Sequence, residues 1–156
     1  MFQDDVYYMK LAIEEAQKAF ELNEVPVGAV AVSESGEILA AAHNSPISLH
    51  DPTSHAEISA LRKAASRVRN YRLTGATLFV TIEPCPMCAG ACVLARIRRL
   101  VYGAMDPKAG ACGSLYNIVQ DARLNHRIQV TTGVLEQECR ELMQAFFRKK
   151  RLKMCY

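Results

Sequence analysis

Short apolar runs alternate along this chain with longer segments whose apolar residues recur every three or four positions, and this alternation restricts the fold more than any other feature. Val27-Gly28-Ala29-Val30-Ala31-Val32 reads as a buried strand. Ser35-Gly36 then turns the chain into a second strand around Glu37 to Ala42, giving an antiparallel hairpin. Leu78–Ile82, Leu100–Tyr102 and Ile128–Thr131 read as further strands. Helical spacing predicts helices from Asp4 to about Asn23, Ser54 to about Val68, Pro86 to about Ile97, a short one over Leu115–Asp121, and a last from Leu135 to about Lys153. In the first of these, Val6, Met9, Ile13, Ala16 and Phe20 form the apolar stripe, with Asp4 and Asp5 at the end that favours acids. The stretches His43–Ser54 and Gly103–Ser114 remain as loops. Strands alternating with helices predict an α/β protein, a sheet covered by helices on both faces. With 156 residues and no linker, repeat or low-complexity stretch, a single domain is expected to span 1–156.

Half the residues are apolar and 22% are charged, enough for an ordinary core and incompatible with disorder of the whole chain. No apolar run approaches the ~18–20 residues that cross a bilayer, so no membrane association is expected. The opening Met1-Phe2-Gln3-Asp4-Asp5 carries acids where a secretory leader carries basic residues, so the expected compartment is the reducing cytoplasm. There, six cysteines do not read as a disulfide scaffold. Cys85, Cys88 and Cys92 fall within eight positions while Cys112, Cys139 and Cys155 are scattered, and such a cluster points to metal binding or catalysis. The net charge of +3 is polarised: residues 1–95 hold 7 basic against 11 acidic groups, and residues 96–156 hold 12 against 5. The basic run Arg148, Lys149, Lys150, Arg151 and Lys153 suits a polyanion, although cations at a helix C-terminus also simply complement its dipole.

Two motifs carry the chemistry. His55-Ala56-Glu57 stands where a loop becomes a helix, and Pro84-Cys85-Pro86-Met87-Cys88 stands where the third strand becomes a helix. Ligands of open α/β sheets bind at such an edge. A helix N-terminus favours the thiolate forms of Cys85 and Cys88. One imidazole and two thiolates suit zinc, and three protein ligands leave a tetrahedral position for water, the arrangement of a catalytic rather than a structural site. A metal that acidifies water needs a neighbour to carry the proton onward, and Glu57 is the candidate shuttle. Other readings stand beside these. Ser54-His55-Ala56-Glu57 also fits a capping box, with Glu57 bonded to the backbone of Ser54. The C-x-x-C pair could be redox-active or half of a structural zinc site, and Cys92, one turn beyond Cys88, could be a fourth ligand that closes it.

H-x-E followed by P-C-x-x-C is the signature of zinc nucleobase deaminases, and the chain closely resembles the bacterial tRNA-specific adenosine deaminases, the TadA family. The resemblance runs over nearly the whole length. It includes Glu24 to Val30, the Asn44 loop, His50 to Ile58, Asn70 to Leu73, Glu83 to Ala91, Gly103 to Asp106, Gly110 to Ser114, Asn125-His126-Arg127 and Phe146-Phe147-Arg148. It implies a three-layer α/β/α cytidine-deaminase-like fold, a five-stranded mixed sheet of order 2-1-3-4-5, and a homodimer with one zinc ion per subunit. The implied reaction converts adenosine to inosine at the wobble position of a tRNA anticodon, releasing ammonia. By the same carry-over His55, Cys85 and Cys88 hold the zinc and Glu57 is catalytic. Asn44 contacts the flipped nucleoside, Val27 walls the pocket, Asp106 lies near the substrate backbone, and Phe146, Phe147 and Arg148 belong to the helix around the anticodon stem-loop. Phe146 and Phe147 are adjacent on a helix, so at least one is expected to face the core. Cys92 and Cys112 depart from the family pattern and read as small buried hydrophobes. The flanks Met105 and Pro107 of Asp106 also vary, which bears on fine substrate selection.

Two other functions fit parts of this pattern. A deaminase of free guanine, cytosine or cytidine would share the zinc site and Glu57 without needing a basic C-terminal helix. A non-catalytic RNA-binding protein would have a zinc site closed by Cys92.

Overall fold

The computed structural model of the chain describes residues 3–154. Its elements are α1 (Gln3–Glu21), β1 (Gly28–Val32), β2 (Ile38–His43), α2 (Pro46–Leu49), α3 (Ala56–Val68), β3 (Thr77–Ile82), α4 (Pro86–Ala95), β4 (Arg99–Ala104), a 3-10 turn (Ile118–Gln120), β5 (Gln129–Thr132) and α5 (Glu136–Met154). The five strands form one mixed sheet of order β2-β1-β3-β4-β5, the order that the family resemblance implies. β1 runs antiparallel to β2 and β3, whereas β3, β4 and β5 are parallel. α1 and α5 pack on one face; α3, with α4 beside it, packs on the other. This is the three-layer α/β/α fold.

Local departures from the expected boundaries have local causes. α4 stops at Ala95 rather than near Ile97 because Arg96 turns into the left-handed region (φ 55°) and returns its N–H to the carbonyls of Cys92 and Val93. The helix expected over Leu115–Asp121 contracts to the 3-10 turn. α2 forms inside a stretch expected to be loop, with Pro46 in its first turn and the Glu24 carboxylate receiving the N–H groups of Ile47 and Ser48. β1 and β3 are buried along their whole length, so their apolar runs lack alternation.

α1 lies closer to the sheet than its apolar stripe suggests. Its fully buried residues are Met9, Ala12, Ala16 and Ala19, while Val6, Ile13 and Phe20 are only half-buried. The helix has turned its small residues inward, and Gly28 is the reason it can. A Cβ on Gly28 would stand 1.9 Å from the Ala12 carbonyl oxygen and 2.6 Å from the Ala16 nitrogen. At its N-terminus the helix is pinned by Asp5, which accepts two hydrogen bonds from Arg99 at 2.8 and 2.7 Å, and Arg99 also reaches the Thr131 hydroxyl on β5. One buried carboxylate thereby ties α1 to β4 and β5.

The register fixes where chemistry can occur. Gly28 pairs with His43 and Ala29 with Val80, so the start of β1 and the ends of β2 and β3 share one sheet edge. Ile82 pairs with Ala104, which brings the end of β4 to the same edge. Val27, Asn44, Glu83 to Cys85 and Met105 to Asp106 all leave the sheet there. Gly28→Ala is expected to drive α1 off β1 and cost at least about 2 kcal/mol, read as a lower urea midpoint. An unchanged midpoint would contradict so close a contact.

Candidate metal centre and active site

Two helix N-termini face each other across the sheet edge. His55 is the N-cap residue of α3 and Cys85 that of α4, both with extended backbone, and Pro86 supplies the fixed φ that starts α4. His55 Nδ1 lies 3.6 Å from Cys85 Sγ and 3.4 Å from Cys88 Sγ. Around a tetrahedral zinc, with Zn–N near 2.0–2.1 Å and Zn–S near 2.3 Å, a nitrogen and a sulfur ligand stand about 3.5 Å apart. The three donor atoms all lie within 4.8 Å of one another, so these residues fit a metal of that kind. Cys92 is buried further along α4 and is not part of the group, which leaves the donor set at three among the described residues.

Electrostatics at the cluster separate the two thiols. The Cys85 thiol is held down to about 4, first by the hydrogen bond from Cys88 and then by His55. The same contact drives Cys88 upward, so one proton serves the pair. His55 is raised, chiefly by its contact with Cys85. Burial pushes Cys92 far above the usual thiol range and Cys112 upward as well, the behaviour of inert core thiols. Cys139 is also buried and lies against Gly103, where a Cβ would stand 2.5 Å from its sulfur. Cys155 lies outside the described residues.

Glu57 sits beside the cluster and is only 4% exposed. Burial raises its carboxyl to about 7, against the pull of its own backbone N–H and of His55. The capping-box alternative does not form. The N-cap is His55 rather than Ser54, it makes no side-chain cap bond, and the free N–H of Ala56 is taken by Asn44 Oδ1 at 2.7 Å. Asn44 therefore does the capping from a neighbouring loop. That leaves the Glu57 carboxyl for the cluster, beside Cys88, and holds Asn44 against the start of α3. Val27 is buried next to it, its carbonyl accepting the Asn44 N–H.

The remaining candidate residues gather elsewhere. A cleft of about 970 Å³ opens between the ends of β3 and β4, the loop after β4 and the C-terminal half of α5. Asp106, Phe147 and Arg148 line it, with Lys108, Arg140, Lys150 and Arg151 supplying positive charge and Ile82, Met105 and Met143 an apolar floor. None of the cluster residues lines this cleft, so the sheet edge carries two neighbouring features. Asp106 Oδ1 accepts the N–H groups of Lys108 and Ala109, so the residue shapes a turn as well as facing the cleft. Of the adjacent phenylalanines, Phe146 is the one that faces the core. It is 3% exposed and packs edge-to-face on Phe20, with ring centroids 5.7 Å apart, so its place is the interior. Phe147, 40% exposed, takes the cleft.

Two buried glutamates escaped assignment from sequence. Glu24 receives Ile47 N–H, Ser48 N–H and Ser48 Oγ–H; burial pushes its carboxyl upward and the donors from Ser48 and Ile47 outweigh it, leaving it lowered. Glu83 receives four donors from residues 106–114. Each stands within two residues of a proline beside an apolar run, a signal that the sequence does contain.

This arrangement agrees with known proteins. The family profile of MafB19-like deaminases matches residues 3–151. A tRNA-specific adenosine deaminase of Bacillus subtilis strain 168 is 51% identical over 153 residues, covering 98% of this chain and 94% of that protein. The chain belongs to the family of tRNA-specific adenosine deaminases. A solved structure from work on A-to-I editing by tRNA:A34 deaminases superposes with a TM-score of 0.84 at 45% identity, over 87% of this chain and 98% of that one. A guanine deaminase from Nitrosomonas europaea superposes with a TM-score of 0.78 at 25% identity, over 90% of this chain and 83% of that one. Among the described residues no helix is long and apolar enough to cross a membrane.

For a deaminase site of three donors, Cys92→Ala is expected to leave bound metal at roughly one per chain, whereas Cys88→Ala should abolish it, both read by elemental analysis. Loss of metal in the Cys92 variant would make the site a closed, four-ligand one.

Proposed function

We propose that this protein is a zinc-dependent hydrolytic deaminase that converts adenosine to inosine at the wobble position of a tRNA anticodon. Water replaces the exocyclic amine, which leaves as ammonia. The observation that carries the reading is a buried carboxyl, Glu57, beside three metal-fitting donors in a chain half-identical to a tRNA-specific adenosine deaminase. His55, Cys85 and Cys88 would hold the zinc, one ion per subunit, and when bound it would supply the Lewis acidity that makes water a nucleophile near neutral pH.

The chain's own residues do the rest. Glu57, its carboxyl raised to about 7 by burial, can both take and give a proton at neutral pH. It removes a proton from the attacking water, delivers it to a ring nitrogen, and then assists the departing amine. Asn44, rigidly held through its oxygen by Ala56, offers its NH2 to the flipped nucleoside. Val27 supplies an apolar wall, and Asp106 orients the substrate backbone from the adjoining loop. A single-stranded anticodon loop makes unstacking the target base inexpensive. The basic cleft suits its phosphates, Arg148 among the contacts, and Phe147 offers a ring for stacking. Phe146 supports this surface from beneath through packing.

The resemblance of the chain to its family further supports one deaminase domain over residues 1–156, a homodimer as the working form, and the cytoplasm as the compartment. Deamination of an anticodon stem-loop by the purified protein tests the reading, with Glu57→Gln as its partner variant. Turnover is expected to fall by at least about 10²-fold while zinc content and stem-loop binding persist. A variant within a few-fold of the wild type would remove Glu57 from the reaction.

A further inference from the structure

We propose that Glu83 is a positioning residue, whose carboxyl group fastens the loop 105–114 to the turn that carries Cys85 and so keeps the cleft wall in register with the reacting centre. The inference rests on the anticodon reading above and deepens it by naming a residue on which substrate fit depends.

Glu83 is 3% exposed and stands between the last residue of β3 and Pro84. One carboxyl oxygen accepts the N–H of Asp106 at 3.1 Å and the hydroxyl of Ser114. The other accepts the N–H groups of Cys112 and Ser114, each at 3.0 Å. The next residue joins the same fastening, since the Pro84 carbonyl accepts the N–H of Ala111 at 2.8 Å. Cys85 follows directly. Gly110 closes over the carboxyl so tightly that a Cβ there would stand 2.4 Å from its carbon. Three backbone donors and a hydroxyl thus converge on one side chain from both ends of the loop. An apolar side chain of the same size could fill the space but would leave those donors without an acceptor.

The loop begins with Met105, Asp106, Pro107 and Lys108, which form one wall of the cleft. Its hold on Glu83 is therefore a hold on that wall. Loosening it shifts the wall relative to the base-reacting end, and small misplacements of substrate carry large kinetic penalties. The metal donors themselves are held independently, by the helix starts of α3 and α4.

Glu83→Gln is nearly isosteric and tests the fastening. Its NH2 group meets one backbone donor rather than two on the side of the Ser114 hydroxyl, which can turn to accept, and there the Asp106 N–H loses its acceptor. Stem-loop deamination kinetics, zinc content and Tm are measured for the wild type, Glu83→Gln and Ser114→Ala in the full chain. The expected result is a KM raised roughly tenfold in Glu83→Gln and roughly threefold in Ser114→Ala, with kcat within about twofold and zinc unchanged. A fall in Tm with KM unchanged in both variants would make Glu83 merely structural and overturn the proposal, as would parallel loss of zinc and kcat. If Glu83→Gln fails to fold, Ser114→Ala decides: a raised KM supports the role and an unchanged KM overturns it. Wild-type protein that leaves the stem-loop untouched overturns the substrate reading and this inference with it. Active wild type with unchanged KM in the variants overturns this inference alone.

Discussion

The close approach of two helix N-termini governs this structure. His55 begins α3 and Cys85 begins α4, and their donor atoms stand 3.6 Å apart, with Cys88 one turn into α4 at 3.4 Å from the same imidazole nitrogen. Nothing in either helix alone brings this about. It requires β1 and β3 to be antiparallel neighbours, so that the loop after β2 and the turn after β3 emerge at one edge. Both helix ends then point at the same small volume, and there the hydrogen bond from Cys88, followed by the contact with His55, holds Cys85 down to about 4. Burial, by contrast, dominates at Glu57 and lifts its carboxyl to about 7. Two acids of quite different kind are thus displaced in opposite directions within one site, the pattern that divides roles between ligand and proton carrier.

A site built on helix ends leaves its loops to be held by other means, and here buried carboxylates do this. Glu24 gathers three donors from Ile47 and Ser48 and fixes the segment that follows Asn44. Glu83 gathers four from the loop after β4. Asn44 adds a third restraint by capping α3 from outside. Each hydrogen bond to a charged acceptor contributes about 1.5–3 kcal/mol, but a carboxylate loses several kcal/mol of solvation on burial, so such clamps favour one loop geometry more than they add stability. Rigid surroundings of this kind suit a reaction whose base must be presented to within a fraction of an ångström.

Much of this was legible in the sequence because it is written in local signals. Apolar runs marked β1 and β3, the Ser35-Gly36 turn marked the hairpin, and the H-x-E and P-C-x-x-C motifs marked the cluster by residue type and by their position at helix starts. Less legible was anything that depends on partners far along the chain. Ser54 looked like the cap of α3 because the three-residue spacing to Glu57 is the local signal, whereas the group that caps it, Asn44, belongs to another loop. The stripe of α1 shares Met9 and Ala16 with the buried face, but Ala12 and Ala19 take the inward places expected of Ile13 and Phe20, because Gly28 permits an approach too close for larger residues. Phe146 and Phe147 carry identical local information, and only the proximity of Phe20 separates the one inside from the one outside. Glu24 and Glu83 were visible as charges amid apolar runs, yet their donors lie more than twenty residues away.

On this reading the cluster acts on an adenosine presented by RNA rather than on a free base. The most direct measurement offers the purified protein an adenosine-bearing anticodon stem-loop alongside free adenosine, cytidine and guanine, with and without a chelator and zinc add-back. The expected result is inosine in the stem-loop alone, lost on chelation and restored by zinc. Ammonia released from free guanine, with the stem-loop unchanged, would contradict it.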